Sequence, residues 1–330
     1  FLKRTICSHP DVVPHLRKYI EQNEIEGYVF PQGVMNQLYR CIAARQPGLI
    51  TKIGIGTYID PRQDGGKLNS ITKEELVELM VIDGEEYLFY KSSPVNVAVF
   101  RGTSADEDGN ITIEEEALKL ELLEIALAAK ASKGKVIVQV KQVVANGTLN
   151  AKDVVVPGEL VDAVVICQEQ EIYHSQTAGT VYSPFLSGEK RCPSAETTKP
   201  KTVVEADDII CRRAAFELFP GAIVNVGVGI GSGVGLVADV EGIINKVIFT
   251  LELGVFGGTP QRSPDFGASV NASSYIAHPS MFDFYHGNGL DITFLGAAQV
   301  DAQGNVNVSR FGGRAAGQGG FIDISQTADK

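Results

Sequence analysis

The chain is 330 residues long, more than one compact core usually needs, so two domains are expected, each able to bury a proper interior. Its 44% hydrophobic and 21% charged residues are a globular balance and exclude a disordered chain. Twenty-nine basic against 40 acidic residues, a net charge of −11, argue against nucleic acid as a partner, because phosphate neutralisation needs clustered Lys and Arg.

In chain order, residues 11–27 carry a short helical pattern, YVFPQG (28–33) reads as a strand running into a turn, and VMNQLYRCIAARQ (34–46) spaces its apolar residues as a helix does. GLITKIGIGTYIDPRQDGGKLN (48–69) is a glycine-punctuated loop region, and its part GIGTYIDPRQDGGK (54–67) is readable either as a lid over the acyl group or as a long structural loop. EEYLFYK (85–91) and VNVAVFRGT (95–103) have the aromatic and β-branched content of strands. IEEEALKLELLEIALAAKAS (113–132) predicts one long helix, with Glu114, Glu115 and Glu116 as its solvated start, where the helix dipole favours carboxylates. KVIVQVKQVV (135–144) and DAVVIC (162–167) return to strand. This alternation predicts an α/β layered domain with a largely parallel sheet.

Residues 168–202 are polar and proline-bearing, as a connection between domains would be. The expected division is 1–197, with the linker from about 168, and 198–330. The second domain opens with a helix, VEADDIICRRAAFELF (204–219), then a strand, AIVNVGVG (222–229), a glycine loop, a helix, GVGLVAD (233–239), and a strand, KVIFTLE (246–252). Further strands are expected at DITFLGAA (291–298), VNVS (306–309) and FIDIS (321–325). VAVFRGTSADEDGNITI and ITFLGAAQVDAQGNVNV both read strand, D-x-x-G-N turn, strand, so two related halves are expected. The first residue is Phe, the last strand has barely finished, and the glycine loop has no counterpart in the first half. A central piece of a longer chain is therefore expected.

The odd number of cysteines lacks any C-x-x-C pair, and the five histidines show no H-E-x-x-H pattern. No disulfide framework and no metal are expected, and a cytoplasmic setting. No run approaches the roughly 18 apolar residues of a membrane span, so no membrane partner is expected.

The chemistry concentrates in NVGVGIGSGVG (225–235) and TLELGVFGG (250–258), two strand ends with their loops. In an open α/β sheet ligands sit beyond the carboxyl ends of the strands, so the glycines are expected beside Glu252. Apolar neighbours Leu251, Leu253, Val255 and Phe256 would partly desolvate that carboxylate, which suits a base or a nucleophile toward an activated acyl carbon. A dinucleotide site competes: Gly233, Gly235 and Ala238 satisfy a relaxed G-x-G-x-x-A pattern, and Glu252 lies near the ribose-binding position. An NAD-dependent oxidoreductase using residues 224–252 is thus the alternative reading.

At this pair of loops the sequence resembles the family I coenzyme A transferases, most closely the acetate/propionate CoA-transferase type with both catalytic halves on one chain. The resemblance extends over PQGV (31–34), IGIGTYIDPRQDGGKLN (53–69), ADEDGN (105–110), VNVGVGIGSGVGLVA (224–238), TLELGVFGG, FDFYHGNGLD (282–291) and GQGGFIDIS (317–325). It implies two related open-sheet α/β domains, incomplete at the outer ends. It implies a ping-pong reaction in which Glu252 carries acyl-anhydride and CoA-thioester intermediates, with short-chain acyl-CoAs and small carboxylates, acetoacetate among them, as substrates. CoA enters as substrate, no cofactor is held permanently, and a homo-oligomer is implied. Gly319 and Gly320 correspond to oxyanion donors, Gly227 and Gly229 to walls against the CoA pantetheine end, and Gln32 to a contact for the substrate carboxylate. Leu253 departs from the small or polar residue usual after the glutamate, which bears on substrate preference.

Overall fold

The computed structural model describes residues 2–193, 205–312 and 314–330. The expected domain boundary at 197/198 and the expected start of the following helix lie outside the described residues. Contacts divide the chain into two compact units: Phe1–Ser93 with Gly296–Thr327, and Pro94–Leu295 with Ala328–Lys330. The described part of the expected linker, residues 168–193, is tied to the rest of the second unit: Tyr275 donates to Leu186 O (2.8 Å), Asn271 Nδ2 donates to Cys192 O (2.9 Å) and the Thr177 hydroxyl donates to Asp265.

In the first unit, Arg4–Cys7 and Glu26–Val29 pair in parallel. Gly48–Thr51 and Val77–Ile82 flank Glu85–Lys91 in an antiparallel sheet. Tyr28, Phe30, Ile59, Leu88 and Tyr90 form the core, joined by Ala315 and Ile322 from the returning segment. Helix Gln32–Ala43 starts directly after Pro31 and buries Val34, Leu38, Cys41 and Ile42, one stripe at helical spacing. The glycine-punctuated loop is built around Asp60, which is 1% exposed. The Asp60 carboxylate accepts from Arg62 and from Gly56 N, and these bonds hold its pKa well below the usual range against the opposing effect of burial.

Among the described residues the second unit holds four sheets, of which two position the elements discussed below. The first orders Ala163–Ile166, Lys135–Val140 and Val97–Arg101, all parallel. Helix Leu122–Ala131 covers it, and its buried Ala126 and Ala129 let it approach Val136 and Val138 closely. The second sheet orders Ser274–Tyr275, Val255–Phe256, Ile248–Leu251, Ile223–Val226 and Ile292–Phe294. Its last three strands are parallel and the other two pairings antiparallel. The fold is α/β, as expected, with mixed rather than uniformly parallel sheets. Among the described residues no helix is long and apolar enough to cross a membrane.

Two expected elements are corrected. The helix over 113–132 begins only at Leu122, because residues 113–116 form a separate turn, in which Glu116 N donates to Ile113 O (3.0 Å), held by distant partners. Glu115 N donates to Thr103 Oγ1 (3.0 Å), Glu115 pairs with Lys141 (2.6 Å), and Glu116 pairs with Arg101 (3.0 Å) and His174 (2.9 Å). These glutamates are therefore anchors, not a solvated helix start. FIDIS is a short helix, Phe321–Ser325, not a strand: a five-residue apolar run does not distinguish the two by its spacing. The strand Val77–Ile82 was not anticipated; it forms a hairpin with Glu85–Lys91 around Asp83 and Gly84.

Candidate active site

Strand Ile248–Leu251 lies inside its sheet, with Phe249, Thr250 and Leu251 at most 1% exposed. It delivers Glu252 at its carboxyl end, 9% exposed. The chain then reverses: Gly254 N donates to Leu251 O (3.0 Å), and Val255 returns antiparallel to Leu251. Gly254 has φ +101, and a Cβ there would stand 2.2 Å from Ile276 O, so only glycine fits this turn. Leu253 is half-buried, and its side chain rests against Gly267.

The neighbouring strand Ile223–Val226 runs into Gly227, whose N–H donates to Phe294 O (2.9 Å). A Cβ at Gly227 would come 3.1 Å from Leu295 Cδ2 and 3.2 Å from Phe294 O, a tight fit. Gly229 has φ +94 and open space around it, so the chain turns away there into the 3-10 turn Ile230–Ser232 and helix Gly233–Val240. The parallel register sets Asn225 opposite Thr250. Gly227 and Glu252 each directly follow the last residue of one of these strands. The glycine loop and Glu252 thus leave the carboxyl ends of two adjacent parallel strands.

Beneath this pair is a buried polar row that the sequence reading missed. Asn225, Thr250 and Tyr285 are 0% exposed. Tyr285, on helix His278–His286, donates to Thr250 Oγ1 (2.9 Å) and accepts from Asn225 Nδ2 (3.3 Å). Thr250 donates to Val224 O (3.0 Å), and Thr293 donates to Asn225 Oδ1 (3.0 Å). Burial, with the charge of Glu252 adding to it, pushes the Tyr285 phenol well above its usual pKa, so it remains a donor. The available signal was a polar residue inside each of two apolar strands, IVNV and IFTL.

The other expected site residues gather in the first unit. Gln32 N donates to Gly319 O (3.0 Å), and Gln32 Oε1 is 3.6 Å from where a Gly319 Cβ would be. Gly33 N donates to Asp323 Oδ2 (3.1 Å), a fully buried carboxylate that ties helix Phe321–Ser325 to the start of helix Gln32–Ala43. The Gly319 N–H donates to Ser8 O (2.9 Å), so the expected oxyanion donor is already engaged at that amide. Gly320 is buried at the N-cap of Phe321–Ser325.

The dinucleotide alternative finds no support. Gly233, Gly235 and Ala238 lie within helix Gly233–Val240, not in a phosphate loop. A Cβ at Gly233 would overlap the Arg262 guanidinium, and one at Gly235 would come 2.8 Å from Pro260 Cδ; these glycines serve helix packing.

Residues 2–166 match the family model for coenzyme A transferase. The chain belongs to the coenzyme A transferase family. It is 49% identical over 317 residues to a caffeate CoA-transferase of Acetobacterium woodii, covering 94% of this chain and 60% of that protein. It is 44% identical to the acetate CoA-transferase YdiF of Escherichia coli K12 over 100% of this chain and 61% of that one. The solved acyl-CoA transferase (YdiF) apoenzyme of Escherichia coli O157:H7 superimposes with a TM-score of 0.90 at 43% identity, covering 99% of this chain and 60% of that one. This family member therefore spans about 60% of the length of the relatives it matches.

Proposed function

We propose that the protein is a CoA-transferase that moves CoA from an acyl-CoA to a small carboxylic acid, with Glu252 as the nucleophile. One observation carries the reading: a nearly buried carboxylate at a strand end, fixed by a turn only glycine can make, beside the Gly227 turn. Relatives described as acetate and caffeate CoA-transferases, and a solved relative described as a thioester complex with CoA, support it.

In this reading a Glu252 oxygen attacks the thioester carbonyl and expels CoA as thiolate, leaving an acyl-glutamyl anhydride. The thiolate then attacks the glutamyl carbonyl, the carboxylate leaves, and a glutamyl-CoA thioester remains. A second carboxylate reverses the sequence, giving ping-pong kinetics and conserving the thioester's energy. The low exposure of Glu252 limits hydrolysis of both intermediates. Gly227 and Gly229 offer a surface without side chains for the thiol end of CoA.

The test is the mass of the Glu252 peptide after the full-length protein is incubated with acetyl-CoA or propionyl-CoA, acid-quenched and digested. A CoA adduct on Glu252, absent from Glu252→Gln, is the expected result. Absence of the adduct with CoA binding intact, and of exchange among acetate, propionate, butyrate and caffeate, would overturn it.

A further inference from the structure

The row Thr293, Asn225, Thr250 crosses three adjacent parallel strands, and Tyr285 from helix His278–His286 closes it from above. Each polar atom in the chain has a partner: Thr293 to Asn225, Asn225 to Tyr285, Tyr285 to Thr250, Thr250 to Val224 O. Apolar side chains of similar size would fill this interior without needing partners, and a fully satisfied buried network acts chiefly to fix one geometry. It lies one step below Glu252 and Gly227, on the strands that deliver them.

We propose that Tyr285 and Thr250 are positioning residues, which lock the ends of strands Ile248–Leu251 and Ile223–Val226 together so that the Glu252 carboxylate is held in its attacking geometry. This rests on the reading of Glu252 as the nucleophile. Thr250 is the link through which the network reaches it: it stands two residues before Glu252, on the strand that leads into it, and its hydroxyl is fixed from both sides, by Tyr285 and by Val224 O.

The experiment compares the full-length protein with Tyr285→Phe, Thr250→Val and Thr250→Ser, reading the rate of glutamyl-CoA formation from acetyl-CoA and the KM for acetyl-CoA. Tyr285→Phe and Thr250→Val are expected to slow adduct formation about tenfold or more while KM stays within about threefold, as loss of alignment does. Thr250→Ser, which keeps the hydroxyl, is expected to retain a rate near that of the parent. Parent-like rates in both Tyr285→Phe and Thr250→Val would overturn the proposal. If Tyr285→Phe does not fold, the threonine pair decides: equal rates for Thr250→Val and Thr250→Ser would mean that side-chain volume matters and the hydroxyl does not. A parent protein that forms no adduct at all would instead overturn the nucleophile reading, and the positioning role with it.

Discussion

The turns at Asp106–Asn110 and Asp301–Asn305 are the same structure built twice. In each, the aspartate carboxylate accepts from the asparagine N–H (2.8 Å in both), from its side-chain amide (2.8 and 2.7 Å) and from the N–H two residues on (3.1 and 2.9 Å). Glycine N–H to aspartate C=O (3.0 and 3.1 Å) and aspartate N–H to asparagine C=O (3.1 and 3.0 Å) complete both. Their surroundings differ. Asp106 is 7% exposed and Asn110 Oδ1 also accepts from Gly158 N (2.9 Å), whereas Asp301 and Asn305 are exposed. The preceding strands differ in the same manner: the Val97–Arg101 sheet has an aliphatic interior, while Ile292–Phe294 joins the sheet with the polar row and Glu252. Local sequence writes the turn; the packing around it decides what each copy is used for.

The contrast can be broken most severely at Glu252. Glu252→Gln should lower acyl exchange by about a thousandfold or more, measured as CoA transfer per folded molecule. In the aliphatic sheet the corresponding injury is to stability. Val138→Ala should cost about 2–3 kcal/mol in denaturant unfolding, with exchange per folded molecule unchanged; a loss of exchange there would erase the distinction.

Glu116 tests the same sheet through pH. Burial alone would raise its pKa, but the His174 hydrogen bond and the Arg101 charge outweigh that and leave it lowered. A carboxylate depressed in the folded state stabilises fully above its unfolded pKa, near 4.3, and progressively less as pH falls through the folded value. Glu116→Gln should cost about 2 kcal/mol at pH 7 and flatten the loss of stability below about pH 4.5, read by chemical unfolding across pH. The smallest effect separates the twin turns. Asn110→Ala should cost about 1–1.5 kcal/mol and Asn305→Ala less than about 0.5, so equal costs in thermal or chemical unfolding would show that burial does not distinguish them.

Legibility followed the range of the interactions. Strands such as Lys135–Val140 and Ile248–Leu251, the D-x-x-G-N turns and the glycine loop beside Glu252 depend on neighbours in sequence and were readable. The turn at Glu114–Glu116 depends on Ser104, Lys141, Arg101 and His174, up to 58 residues away, and so looked helical. Phe321–Ser325 alternates like a strand but is helical, with Asp323 accepting from Gly33, 290 residues earlier. Tyr285 carries no local signal of its role. Its partners sit on two strands, 35 and 60 residues away, and no spacing within MFDFYHG announces them.

The turn that only glycine can make also governs how the site can diversify. With a carbonyl 2.2 Å from where any side chain at 254 would begin, descent has no room to shift the glutamate by altering that turn. Leu253, half-buried beside Gly267, has no such bar, and this chain already departs from the resembled family at that position. On the proposed reading of Glu252 as the nucleophile, novelty in substrate range would be channelled into the residues around a carboxylate that stays where it was.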